Sequence, residues 1–141
     1  MGTKPQPVQP AQIRLFLLDA RKKAAAARKI LALDEETAYQ TAYQAMLKAG
    51  LALMLSHGQR PRVQVGHHVA VIEFAERNLA PDYAPLCVLF DRMRRKRNSA
   101  FYDVTTVSIV EAEEAVKTSE QFLNAVEADI AARLPSPENP S

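Results

Sequence analysis

The segment from Ala38 to Met54 limits this chain more than any other. Its apolar positions are Ala38, Tyr39, Ala42, Tyr43, Ala45, Met46, Leu47, Ala49, Leu53 and Met54. Stepped at about 100° per residue they cover most of a helix circumference. Polar Gln40, Thr41, Gln44 and Lys48 keep to one narrow side. A helix that is apolar nearly all round must be wrapped by others. It starts at Asp34-Glu-Glu-Thr37, a cap followed by acids at the positive end of the dipole. It runs to about Ser56, with Gly58 as the stop.

The flanking patterns supply the wrapping. A first helix opens at Pro10 or Ala11, with Ile13, Phe16, Leu17, Ala20, Ala24, Ala27 and Leu31 on one face. Its alanines permit a close neighbour. Residues 57–66 read as a loop carrying His57, Arg60 and Arg62. A third helix starts at His67-His68 and ends near Leu79, with Val69, Val71, Ile72, Ala75 and Leu79 on an arc centred on His68. Ala80-Pro-Asp82 breaks it and begins a fourth, with Leu86, Leu89, Phe90 and Met93 as its stripe. Val104 to Val107 are a β-branched break. Ser108-Ile-Val-Glu111 is a capping box for a fifth helix that runs to about Leu134. The fold class is therefore all-α, an up-and-down four- or five-helix bundle. Residues 1–10 form an extended tail, 11–134 the helical domain, and 135–141 a Pro-rich C-terminal tail. Leu51 and Leu55, off the main stripe of the second helix, are candidates for an intersubunit surface.

Several function classes find no support. Cys87 is the single cysteine, so there is neither an internal disulfide nor a cysteine-based zinc site; on the flank of its stripe it reads as a small core residue. Adjacent His67 and His68 point about 100° apart on a helix and lack an acid at i+4, so no metal and no cofactor is expected. Leu15-Phe-Leu-Leu18, flanked by Arg14 and Asp19, is no membrane span. A cytoplasmic location is the expectation. Eighteen basic against sixteen acidic residues give a net charge of +2, too little to argue for nucleic acid alone.

The position of the charge is more informative. Five of the six residues from Arg92 to Arg97 are basic. If the fourth helix continues past Met93, the next residue on its apolar stripe is Arg97, while Arg92 and Arg95 point away. A guanidinium then stands where leucine is expected. It snorkels at the bundle end, pairs with an acid such as Glu73 or Glu76, or faces a cleft that takes a phosphate. His68 is either a hydrogen-bonded interior histidine or a site residue.

The sequence Met93-Arg-Arg-Lys-Arg-Asn98, followed by Ser-Ala-Phe-Tyr102-Asp103, a connector and a Ser-x-x-Glu-capped last helix, resembles the HEPN domain superfamily (higher eukaryotes and prokaryotes nucleotide-binding). Gly66-His67-His68 before a short helix is also similar to HEPN-like bacterial proteins. The resemblance covers about Ala11 to Leu134. It implies a helical bundle that often forms homodimers. In active members it implies a metal-independent ribonuclease site built across the dimer from Arg, a polar residue, a short spacer and His. Many such members are toxins paired with a nucleotidyltransferase antitoxin, or defence effectors.

Carried over residue by residue, the motif Arg is Arg97, its polar neighbour is Asn98, and Tyr102 stands at the His position. These are the candidate catalytic residues. Arg94, Arg95 and Lys96 are candidates for steering nucleic acid, and His67 and His68 for an accessory role. A phenol titrating near pH 10 trades protons poorly at neutral pH. So the resemblance implies an endoribonuclease, an RNA-binding relative that does not cut, or a non-catalytic homodimer or interaction module partnered with a nucleotidyltransferase-type protein. In some members a tyrosine near this motif receives a nucleotide from the partner, which is a further role for Tyr102.

Overall fold

The computed structural model describes residues 2–62, 67–102 and 106–134, with only the backbone for 100–102. Gly66, Asp103, residues 104–105, the tail 135–141 and the side chain of Tyr102 lie outside the described residues. The elements are β1 (Thr3–Pro5), α1 (Pro10–Ile30), α2 (Glu35–Ser56), β2 (Gln59–Pro61), α3 (His67–Asn78), a 3-10 turn (Pro81–Tyr83), α4 (Ala84–Tyr102) and α5 (Ile109–Arg133). The all-α expectation holds.

Helix α2 is the centre. More than half of its 22 residues are buried, including Tyr43, Met46, Leu53 and Met54 at zero exposure. It packs most extensively on α1, where Ala20, Ala24 and Ala27 are buried. Side chains this small let two helices approach closely. At Gly50 even a methyl would be too much, because a Cβ there would overlap Val71 of α3. Leu55 is buried and Leu51 packs against the core. Leu55 is therefore interior, not part of the intersubunit surface that its angular position suggested, while Leu51 is only partly buried. The reason is that α2 is covered on nearly every side.

Pairs of residues give the helix directions. Arg21 meets Glu127 and Arg28 meets Glu120, so α1 runs against α5. Arg92 meets Glu114 and Lys96 meets Glu111, so α4 also runs against α5. Arg133, near the end of α5, reaches Ser56 at the end of α2, while Tyr39 lies by Glu111 at the other end. Helices α2 and α5 are thus parallel. The four long helices alternate in direction along the chain, as an up-and-down bundle does. Short α3 is added alongside α2 in the same sense, with His68 beside Tyr43 and Phe74 beside His57.

The ends are capped as their residue types dictate. The Asp34 carboxylate accepts the Thr37 amide at 3.1 Å. Ser108 and Glu111 form the reciprocal box, at 3.0 and 3.1 Å. Gly58 closes α2 with a φ of +71°, a left-handed conformation that glycine adopts without a Cβ penalty. The N-terminal segment then adds a feature that helical periodicity does not report. β1 pairs antiparallel with β2, Lys4 opposite Arg60, and the Gln6 amide donates to the Gly58 carbonyl at 2.8 Å.

Candidate functional site

Helix α4 does continue past Met93, to Tyr102. Met93 and Phe90 are buried, and Arg97 follows them on the same stripe. No acid receives it. Glu73 and Glu76 are both exposed on α3, and among the described residues Arg97 makes no ion pair. Its guanidinium lies over the ring of Tyr43, with Cζ 5.7 Å from the centroid. The ring face carries the negative lobe of its quadrupole, so it attracts the cation without neutralising it. The residue as a whole is exposed. The stem follows the apolar stripe to the end of the helix, and the charged head comes out over an aromatic floor.

The other four basic residues of the run are held by carboxylates. Asp91 accepts from Arg94 Nε and Arg95 Nε, each at 2.9 Å. Burial works against ionisation of Asp91, but the hydrogen bonds from Arg95 and Arg94 outweigh it and hold its pKa below the ordinary value. Lys96 Nζ donates to Glu111 at 2.7 Å, and that bond is the main reason Glu111 titrates low. Glu111 therefore both caps α5 and ties down the basic helix. Arg92 stands 3.8 Å from Glu114. Asn98 is exposed, one residue beyond Arg97. Tyr102 is the last residue of α4.

His67 and His68 open α3, both half-buried, with ring centroids 5.7 Å apart. His68 comes to the Tyr43 ring, at 5.6 Å between centroids, and its Nδ1 lies 2.8 Å from the Tyr43 hydroxyl. Arg97 and His68 thus share one aromatic ring. Burial lowers the pKa of His68, helped by the nearby charges of Arg97, His67 and Arg94. Burial, then Lys48, lowers that of His67. The Tyr43 phenol moves the opposite way, pushed well above its usual range by burial despite the opposing pull of Arg97 and Arg94. At neutral pH the site therefore offers a permanent cation, a neutral imidazole and a protonated phenol.

A match to the family model described as "HEPN domain" spans residues 13–129. The chain belongs to the HEPN family. Compared with the curated proteins, it matches none. The family match takes in α2, α3, α4 and most of α5, so the Tyr43, His68 and Arg97 grouping lies within the HEPN region. Of the residues singled out by sequence, Arg97 and His68 come together, with His67 adjacent. Arg94, Arg95 and Lys96 sit on the same helix end but are engaged by acids.

Tyr43 was missed as a site residue, because periodicity enrols it only as core. A signal was available. A buried tyrosine needs a partner for its hydroxyl, and His68 was the inward polar residue in need of one. Cys87 is buried, with its thiol pushed up to about 11 by that burial, which fits a core role. Among the described residues no helix is long and apolar enough to cross a membrane.

Proposed function

We propose that this HEPN protein is RNA- or nucleotide-directed and holds a ligand phosphate on Arg97, with Asn98 and Tyr102 as the motif residues that follow it in sequence and His68 across the Tyr43 ring, next to His67. One observation carries the reading. Of the five basic residues in the run, Arg97 alone has no carboxylate partner among the described residues. A guanidinium of this kind is ready to bind a phosphate bidentately. Arg94, Arg95 and Lys96 add a screened, salt-sensitive attraction. Binding is better supported than cutting. Cleavage by the RNA 2′-hydroxyl needs a base and an acid as well as a cation. Tyr102 is a phenol where the family keeps histidine, and His68 is already engaged by Tyr43.

The experiment is incubation with single-stranded RNA in the presence of EDTA, reading binding and cleavage together for wild type and Arg97→Ala. Arg97-dependent binding without cleavage supports the proposal. Arg97-dependent cleavage would make the protein an endoribonuclease of the toxin or defence type. Binding indifferent to Arg97→Ala would remove the site.

A second reading is a homodimer or an interaction module for a nucleotidyltransferase-type partner. Ile109 and Val110 favour it, since both are exposed at the start of α5 beside the residue that holds Lys96. Light scattering on wild type and Val110→Asp reads this directly: a dimer lost in the variant places the interface beside the basic helix end.

A further inference from the structure

We infer that Tyr43 is a positioning residue: its buried hydroxyl fixes the tautomer of His68, so that His68 presents Nε2–H as a hydrogen-bond donor to a ligand phosphate oxygen beside Arg97. This rests on the phosphate-binding reading above and assigns each group in it a definite proton.

The argument starts with an accounting of donors. A tyrosine hydroxyl has one proton to give and lone pairs to accept with. Tyr43 has zero exposure, and its hydroxyl has one hydrogen-bond partner among the described residues, His68 Nδ1 at 2.8 Å. If Nδ1 carried a proton, it would donate to Tyr43, and the Tyr43 proton would be buried without an acceptor. A buried donor left without an acceptor is strongly disfavoured, because it gives up its bond to water and gains none. The favoured arrangement has Tyr43 donating and Nδ1 bare. The one proton of the neutral imidazole then resides on Nε2.

The surroundings reinforce this assignment. The charged and titratable groups facing His68 are Tyr43 from α2, His67 from α3, and Arg94 and Arg97 from α4. Arg94 is held by Asp91. The cations oppose a second proton on the imidazole, and burial opposes it further. Protonating His68 would also displace the Tyr43 proton from its acceptor. His68 is therefore a weak base and a good neutral donor. Arg97 brings charge and His68 brings direction, with the Tyr43 ring between them. Such a pair suits an RNA phosphodiester, whose two non-bridging oxygens accept on different sides.

Nitrogen-15 spectra of histidine-labelled protein test the assignment, with the His68 signals identified by their loss in His68→Gln. The free wild-type protein at neutral pH should show His68 with a bare Nδ1 and a protonated Nε2. In Tyr43→Phe the ring stays and the hydroxyl goes. The neutral form loses its hydrogen bond, so the midpoint of His68 titration should rise. A role in packing alone predicts no such rise. A protonated Nδ1 in neutral wild-type protein would overturn the inference, and so would an unchanged or lowered midpoint in Tyr43→Phe.

A fluorescein-labelled oligouridylate then separates the two levels. Arg97-dependent binding that weakens about fivefold in His68→Phe, which keeps a ring and removes the donor, is the expected result, the loss of roughly one neutral hydrogen bond. Arg97-dependent binding untouched by His68→Phe would overturn the donor role while the phosphate site stands. Binding indifferent to Arg97→Ala would overturn the underlying reading, with the tautomer still read on the free protein.

Discussion

At the Tyr43 end of α2 a histidine, an arginine and an aromatic ring meet, and at the Ser56 end the same three kinds of side chain meet again as His57, Arg133 and Phe74. The two groups differ in how the arginine is finished. Arg133 donates to Asp129 at 2.6 Å, to the Ser56 hydroxyl at 2.7 Å and to the Ser56 carbonyl at 3.3 Å. Its charge is answered and its donors are used, so it ties the end of α5 to the end of α2. Arg97 lies over a ring and, among the described residues, gives its donors to no acceptor. The histidines differ in the complementary sense. His68 Nδ1 has a hydroxyl, whereas His57 Nε2 is buried without a hydrogen-bond partner among the described residues, 3.9 Å from Asp129. A closed arginine is a structural joint, and an open one beside a satisfied histidine is suited to a ligand. A surface hollow lies at the Ser56 end, lined by Thr3, His57, Gln59, Phe74, Arg77 and Asn78.

The sharpest way to break this comparison is to truncate each arginine in turn. Arg97→Ala should weaken RNA binding roughly 30-fold, the loss of a charge-assisted hydrogen-bond pair. Its unfolding free energy should stay within about 1 kcal/mol of wild type, since what the fold loses is an exposed cation–π contact. Fluorescence anisotropy and urea denaturation read the two quantities. Arg133→Ala should do the reverse. It should lower stability by about 1–2 kcal/mol, because the Ser56 hydroxyl and carbonyl lose the donor from α5, and leave RNA affinity unchanged. If both variants lose binding equally, the two ends are not functionally distinct.

Asp91→Asn sharpens the comparison from the other side. It frees Arg94 and Arg95 from their shared carboxylate. RNA should bind about threefold more tightly, and the slope of log affinity against log salt should steepen by about 1. A titration repeated at several salt concentrations checks this. No change would mean that Arg94 and Arg95 stay turned from the ligand even when released.

The smallest effect is on pH dependence. His57, His67 and His68 all have lowered pKa values, with burial the largest cause in each. The unfolded chain therefore takes up protons more readily than the folded one. Stability is full above the unfolded value of about 6.5 and is lost as pH falls below it. Thermal melts between neutral and mildly acidic pH should show the decline. His57→Gln should make it shallower, with RNA binding at neutral pH unaffected.

Much of this architecture was legible because local chemistry specified it. Asp34 and the Ser108–Glu111 box cap as their side chains dictate, and the apolar circumference of α2 placed it at the centre. The direction of Arg97 also followed from angular spacing. What could not be read was the identity of the neighbour across each gap. Periodicity turns Tyr43 and His68 inward without saying that they face each other. It shows a basic run on α4 without showing that Glu111 and Glu114 arrive from α5 to answer it. The same limit hid β1 and β2, whose pairing joins segments far apart in the chain and rich in proline. Tyr102 at the motif position belongs to the sequence argument, as its side chain lies outside the described residues.

That small ribbon has a practical side. Backbone bonds from Gln6 to Gly58 and from Arg62 to Gly2 fasten the start of the chain to the connector between α2 and α3. This connector leads directly into His67. Trimming residues 2–6 would therefore strip β2 of its partner strand in the segment that precedes α3, and not merely remove a loose end.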